Sequence, residues 1–357
     1  MQTFLFYQNH LNLVSRSFAL VISKLTPEPR LYVAHSYLLF RVIDTIEDAE
    51  IEVQQKLIFL KSVLNTLENQ VVPHDFKLEL KNTFKNSTSA DENLVHDLSL
   101  LISDFTEFPK AIQNIIFDAA KTMIMGMTNH LQLFQNNTLK LKSEVELNFY
   151  CFFVAGIIGE MLTRMMSSIY KDLNFCNENI ANSISFGLFL QKINILKDEQ
   201  EDNKRQIFYF ENADQIYRSI MKNIIATQDY INKIPQKWFD YKLFCIFSAG
   251  LGIISLISKK IRSENRTLTT WTRTDINFYF NELEYQLKMD SQFDLSQAVQ
   301  LFFQKLNIQI NPLDYLAQIQ PTTSSIKYSS FENRYTLDQN YFGIMNTQLL
   351  ENILTES

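Results

Sequence analysis

Apolar residues recur every three to four positions along nearly the whole chain, the spacing that puts them on one side of an α-helix. Ile112, Ile116, Ala119, Met123, Met127 and His130 form one such stripe, on a long helix predicted to begin after Pro109. Leu147, Tyr150, Cys151, Val154, Ile158 and Met161 form another. Residues 244–258 are apolar almost without interruption, a run of about 15 that is short for a bilayer span and reads instead as a buried central helix. Polar breaks fall near residues 86–93, 135–138, 172–179, 263–267 and 322–330, and none is rich in Pro and Gly. The pattern predicts one all-α domain of about ten helices over residues 1–320. A polar tail follows over 321–357, with room for a short helix at 341–354.

Composition agrees. Gly 7 and Pro 7 in 357 residues make up about 4% of the chain, against roughly 12% in ordinary proteins. Sheets and hairpins consume these residues at their turns, whereas long helices do not. A net charge of −6 without long Lys/Arg runs excludes a grip on nucleic acid through its phosphates. The three cysteines, Cys151, Cys176 and Cys245, are widely spaced and odd in number. They read as thiols of a reducing compartment. Met1 to Val14 carries no basic segment ahead of its apolar residues, and no membrane anchor is visible. A cytoplasmic monomer is expected.

The chemistry concentrates in two echoing segments, 44–48 and 198–202, that share D-x-x-E-D. At about 100° per residue, Tyr37, Arg41, Asp44 and Asp48 fall within an arc of roughly 60° on one helix face. Leu38, Leu39, Val42, Ile43 and Ile46 occupy the other faces. The second segment repeats the design, with Gln191, Asn194, Asp198 and Asp202 on one face and Glu201 beside it. Its flanks are Leu188, Leu190, Ile193, Ile195 and Leu196. Carboxylates set among core positions are costly unless something positive pairs with them, and Arg41, Lys192, Lys197 and Arg205 neutralise only part of the load. With no Cys or His in either cluster, the natural counter-ion is Mg²⁺ or Mn²⁺. Mg²⁺ keeps coordination positions for water or phosphate oxygens, so the pattern suits a substrate with a phosphate head and a greasy tail.

Three further features stand beside these. Ser15-Arg16-Ser17 ahead of a helix is either an anion site or a cap. Gly156 and Gly159, inside an apolar helix, mark a close approach by a neighbouring helix or by a ligand chain. Tyr150 is either a core tyrosine or a proton-transfer group in a dry pocket.

The blocks Ser15-Arg16-Ser17-Phe18-Ala19, Tyr37 through Asp48, Tyr150-Cys151-x-x-Val154-Ala155-Gly156 and Gly187 through Asp202 resemble the squalene/phytoene synthase family, in the family's order from about residue 3 to 260. Met125-Gly126-Met127 and Phe244-Cys245 resemble weaker family positions. The resemblance implies the isoprenoid synthase fold, a helical bundle around a central hydrophobic cavity with two aspartate-rich motifs at its mouth. It implies condensation of two farnesyl diphosphates through presqualene diphosphate, with reduction to squalene by NADPH. On the matched positions Asp44, Asp48, Asp198 and Asp202 would hold Mg²⁺, with Glu47 and Glu201 in support. Arg16, Ser15, Ser17, Tyr37, Arg41, Gln191, Asn194 and Arg205 would meet diphosphate or metal. Tyr150 would serve proton transfer and Phe244 would shape the cation pocket.

The chain departs from the family at Lys197, at Glu199-Gln200, in the short stretch after Asp202 and at Ser248, all near the reductant step. No G-x-G-x-x-G is present. Other readings are a synthase that stops at presqualene diphosphate, one that makes dehydrosqualene or phytoene without a reductant, and a non-catalytic assembly or binding protein of the same fold. Without an anchor, peripheral membrane contact would serve to unload an insoluble product.

Overall fold

A computed structural model describes residues 4–85, 89–133, 138–141, 143–171, 177–211, 213–263 and 273–289. Helices follow one another as α1 (Phe4–Val14), α2 (Arg16–Ile22), α3 (Pro27–Asp48), α4 (Val53–Asn69), α5 (His74–Thr83), α6 (Ala90–Val95) and α7 (Leu98–Thr106). Then come α8 (Lys110–Leu133), α9 (Glu144–Cys151), α10 (Ile157–Ile169), α11 (Asn177–Lys204), α12 (Ala213–Lys233), α13 (Phe239–Ser263) and α14 (Arg273–Met289). The described residues thus hold more helices than the ten expected, because short polar breaks such as 49–52 and 107–109 end helices that periodicity alone runs together. The domain limit near 320, the tail 321–357 and Cys176 lie outside the described residues.

The apolar flanks of α3 are buried as predicted: Leu38, Leu39, Val42, Ile43 and Ile46 are fully enclosed. Pro27 opens this helix where its missing N–H costs nothing. The Thr26 amide and hydroxyl donate to Asp240 Oδ2 at 3.0 and 2.7 Å, tying the start of α3 to the start of α13. α11 is the central element, packed against α10, α12 and α13.

The stripe from Leu147 to Met161 is predicted to lie on one helix but contains a π-turn, Phe152–Gly156, between α9 and α10. The two glycines around that turn answer the question posed above. A Cβ on Gly156 would stand 2.7 Å from Leu188 Cδ1, and one on Gly159 would strike the Ser183 carbonyl. Gly187 of α11 returns the favour against the Ala155 carbonyl. The close approach is therefore helix against helix.

The 244–258 stretch needs a correction. The helical run it belongs to, Gln236–Lys259, is long and apolar enough to cross a membrane by length and composition, as is Glu144–Ile169. In the fold, 89% of the first of these segments is buried, so the reading as a central core helix holds. Cys151 and Cys245 are buried free thiols, as expected.

Among the described residues the one sheet is a clasp of two short parallel strands, β1 (Leu139–Lys140) and β2 (Ile207–Phe208), which ties the chain after α8 to the chain after α11. Replacing Gly159 by Ala forces α10 and α11 apart and is expected to cost about 1–3 kcal/mol, the usual penalty of overpacking. Urea denaturation checks this, with a lower midpoint at an unchanged m-value.

Candidate active site

Each acidic stripe occupies the last turns of a long helix, and the chain after α11 reaches the end of α3. Arg205, one residue beyond α11, reaches Asp48 at the end of α3, its Nη1 lying 3.4 Å from Oδ1. Gln206 then turns through a left-handed conformation, φ 61°. β2 pairs with β1, the Leu139 amide donating to the Gln206 carbonyl at 3.0 Å and the Leu141 amide to that of Phe208 at 2.9 Å. Tyr209 follows at once, and its hydroxyl donates to that of Tyr150 at 3.0 Å.

On the α3 side a second connected group forms. Arg41 Nη1 donates to Asp44 at 2.9 Å, while its Nε lies 3.1 Å from Asp91 of α6 and its Nη2 donates to the Val14 carbonyl. The Tyr37 phenol bonds Ser15 and Arg41, and its ring lies 5.6 Å from Phe18. Ser15 also caps α2, accepting from the Phe18 amide at 3.2 Å. The capping role expected of this serine is thus realised.

Negative charge is in excess here. Burial and the neighbouring Asp44 and Glu47 carboxylates push the Asp48 carboxyl up to about 7, even with Arg205 beside it. Burial and Asp198 raise Asp202 to about 6. Asp44 and Asp198 are raised as well, chiefly by burial. A divalent cation is the species that relieves this repulsion, and the all-oxygen donor set fits Mg²⁺ or Mn²⁺. Among the described residues no three acids, histidines or cysteines converge to cage an ion by themselves. The four aspartates, expected to form one cage, thus do not converge on a single point in the metal-free chain. Among the described residues no glycine adopts a positive φ, so no glycine-rich dinucleotide loop is formed there. Arg205 is engaged by Asp48, and Lys259 of α13 by Glu199 and the Leu196 carbonyl.

The remaining predicted residues divide. Gln191 is half-buried and Asn194 and Glu201 are exposed on α11, on the stripe that carries Asp198 and Asp202. Ser17 is exposed on α2, and the side chain of Arg16 lies outside the described residues. Phe244 is buried in α13 with its ring parallel to Tyr241 at 6.1 Å, within the core and not at the acids. Lys192 does not neutralise the stripe. It points the other way, buried against α12, where its ammonium donates to Ser219 Oγ at 2.8 Å and Asn223 Oδ1 at 2.6 Å. Burial holds its pKa down to about 8.

Three participants escaped the sequence reading. Asp91 shares Arg41. His130, taken as part of an apolar stripe, has its Nδ1 3.8 Å from Glu47 Oε1 and its ring 4.5 Å from that of Tyr150. Tyr209 packs on Tyr150 at 4.8 Å and lies parallel to His130 at 6.5 Å. An imidazole in an otherwise apolar row was the visible signal for His130; Tyr209 gave none.

This all-α architecture, with two acidic helix ends joined beside a buried phenol, is that of the isoprenoid synthases. A solved structure of TcSQS in complex with a ligand superposes with a TM-score of 0.61 at 22% identity, covering 88% of this chain and 95% of that one. The sequence profile of the squalene/phytoene synthase family matches residues 11–213, and the chain belongs to that family. Human squalene synthase is 32% identical over 196 residues, 55% of this chain but 43% of the human protein. Squalene synthase of Candida albicans is 34% identical over 197 residues, 54% of this chain and 42% of the relative. The match therefore spans less than half the length of either curated relative.

The charge excess has a measurable sign. The folded chain retains the Asp48 proton up to about pH 7, whereas the unfolded chain releases it near 3.8. The metal-free protein should therefore gain thermal stability as pH falls from about 7 toward that value. Asp48→Asn should raise the metal-free Tm at pH 7.5 and flatten the pH dependence, and millimolar Mg²⁺ should do the same to the unmutated chain. Differential scanning fluorimetry across pH, with and without Mg²⁺, reads all three.

Proposed function

We propose that the protein condenses two farnesyl diphosphates head to head into presqualene diphosphate, with squalene as the final product when NADPH is supplied. The observation that carries this is the contact of Arg205, beyond the end of α11, with Asp48 at the end of α3. It ties the segment that follows the second acidic stripe to the end of the first, and each stripe carries more negative charge than its arginine offsets. Squalene as the end product rests on the name borne by the relatives that match, and the diphosphate chemistry rests on this chain's own residues.

Asp44, Asp48, Asp198 and Asp202 would hold Mg²⁺, with Glu47 and Glu201 beside them. Bound there, the ion would supply the Lewis acid that neutralises a departing diphosphate. Arg41, Tyr37 and Ser15 already form one hydrogen-bonded group along α2 and α3, and they would orient the phosphates. Such preorganised donors stabilise the transition state because they need not reorganise as charge develops. After the allylic C–O bond breaks, the double bond of the second substrate attacks the cation. A C–H bond of the product cation then gives up its electron pair to close the cyclopropane, and its proton passes to the Tyr150 hydroxyl as that hydroxyl gives its own proton to the released diphosphate. Burial raises the pKa of that hydroxyl well above the usual phenol range, in keeping with a site where the cation meets no water. Tyr150, Phe152, Val154, Ile158 and Leu162 are apolar or aromatic and only partly buried, which suits them as walls against a prenyl chain.

Incubation of purified protein with farnesyl diphosphate and Mg²⁺, with and without NADPH, followed by identification of the lipid products, tests the reading. Presqualene diphosphate without NADPH and squalene with it are expected. Dehydrosqualene, or presqualene diphosphate under both conditions, would select the reductant-free alternatives. No product under any condition would favour the binding-protein reading. Asp44→Asn and Asp198→Asn are each expected to lower turnover by about 10²- to 10³-fold, the scale set by removing one electrostatic stabiliser, while leaving the fold intact by circular dichroism.

A further inference from the structure

Tyr209 stands outside everything assigned so far. It lies one residue beyond the two-residue strand β2, is 9% exposed, and turns its hydroxyl to that of Tyr150 at 3.0 Å. Three rings meet there: Tyr150 lies 4.5 Å from His130 and 4.8 Å from Tyr209, and the last two are parallel within 4° at 6.5 Å. Among the described residues His130 Nε2 is a buried nitrogen with no hydrogen-bond partner. The Tyr209 hydroxyl is therefore the one polar contact that this ring cluster gives the Tyr150 oxygen. The segment carrying Tyr209 is fixed at three successive points: Arg205 to Asp48, the β1–β2 clasp, and the phenol pair.

We infer that Tyr209 is a positioning residue, which fixes the oxygen of Tyr150 against the two acidic helix ends and couples its placement to the closure of the β1–β2 clasp. A phenol on an otherwise apolar helix turn rotates about its side-chain torsions unless its oxygen is held. The donor from Tyr209 holds it, while His130 and the Tyr209 ring restrict the plane of the aromatic group. Misplacement of a reacting group by an ångström suffices to cost about 10²-fold. The inference rests on the proton-transfer role given to Tyr150 above, and it makes the short clasp a functional part of the site instead of a loop that happens to pair.

The test is a double-mutant cycle in the full chain with farnesyl diphosphate and Mg²⁺. Tyr209→Phe keeps the ring and removes only the hydroxyl. It should lower kcat for presqualene diphosphate formation by about 10- to 100-fold with KM changed less than about twofold, since diphosphate binding belongs to other residues. In a Tyr150→Phe background the same change should have almost no further effect, because Tyr209 acts through Tyr150. Additive losses, or an unaltered kcat in the single variant, would overturn the inference. A second readout works without turnover: fluorotyrosine introduced at position 150 should shift its ¹⁹F resonance when Tyr209 becomes Phe, and an unmoved resonance would also overturn it. Absence of turnover in the unmutated protein would count against the proposed function alone, leaving the resonance to decide the role of Tyr209.

Discussion

Electrostatic repulsion among carboxylates gathered at the ends of two helices is the constraint on which the rest of the molecule depends. Asp44, Asp48, Asp198 and Asp202 belong to α3 and α11, whose other faces are locked in the core by fully buried leucines and isoleucines. The helices cannot turn these acids away from one another without exposing those flanks. Arg41 and Arg205 offset part of it, and Arg41 is itself shared with Asp91. What remains is negative charge at two helix ends that a bound cation would offset. A protein without such a partner would gain by replacing one of these acids.

Holding that geometry falls to features remote from the acids. Gly156, Gly159 and Gly187 bring α10 and α11 to backbone contact, which sets the distance between Tyr150 and the second stripe. Lys192, two residues ahead of Asn194 in α11, anchors this helix to α12 through Ser219 and Asn223. An ammonium buried without a carboxylate is expensive, and here it is satisfied by neutral oxygens instead. The rotational setting of α11, and with it the aim of Asp198 and Asp202, follows from these two contacts.

Much of this was legible from periodicity. The faces of α3 and α11 follow from apolar flanks recurring with the helical repeat, and the start of α8 follows from Pro109. The glycines announced a close approach without saying whose. Lys192 misled, because a cation beside an acidic stripe in sequence points about 100° away from its neighbour on a helix. His130 sat in an apolar row and was counted as core. Tyr209 was invisible for another reason: its place depends on a parallel pairing of two-residue strands far apart in the chain, and strands that short leave no period to detect. The assignment of Phe244 to the cation pocket came from family likeness, whereas periodicity alone says only that its side chain is buried in α13.

The π-turn at Phe152–Gly156 has a consequence of its own. It inserts one residue into what would be an unbroken helix from Glu144 to Ile169, and so offsets everything before it by about a sixth to a third of a turn relative to everything after. Tyr150 looks toward the acids because of that offset, while Gly159 looks toward α11. A lineage that lost one residue in this stretch would recover a regular helix, with better local hydrogen bonding, and would swing its phenol out of register with the acidic helix ends. Local regularity and chemical competence are thus in opposition at this one place in the chain.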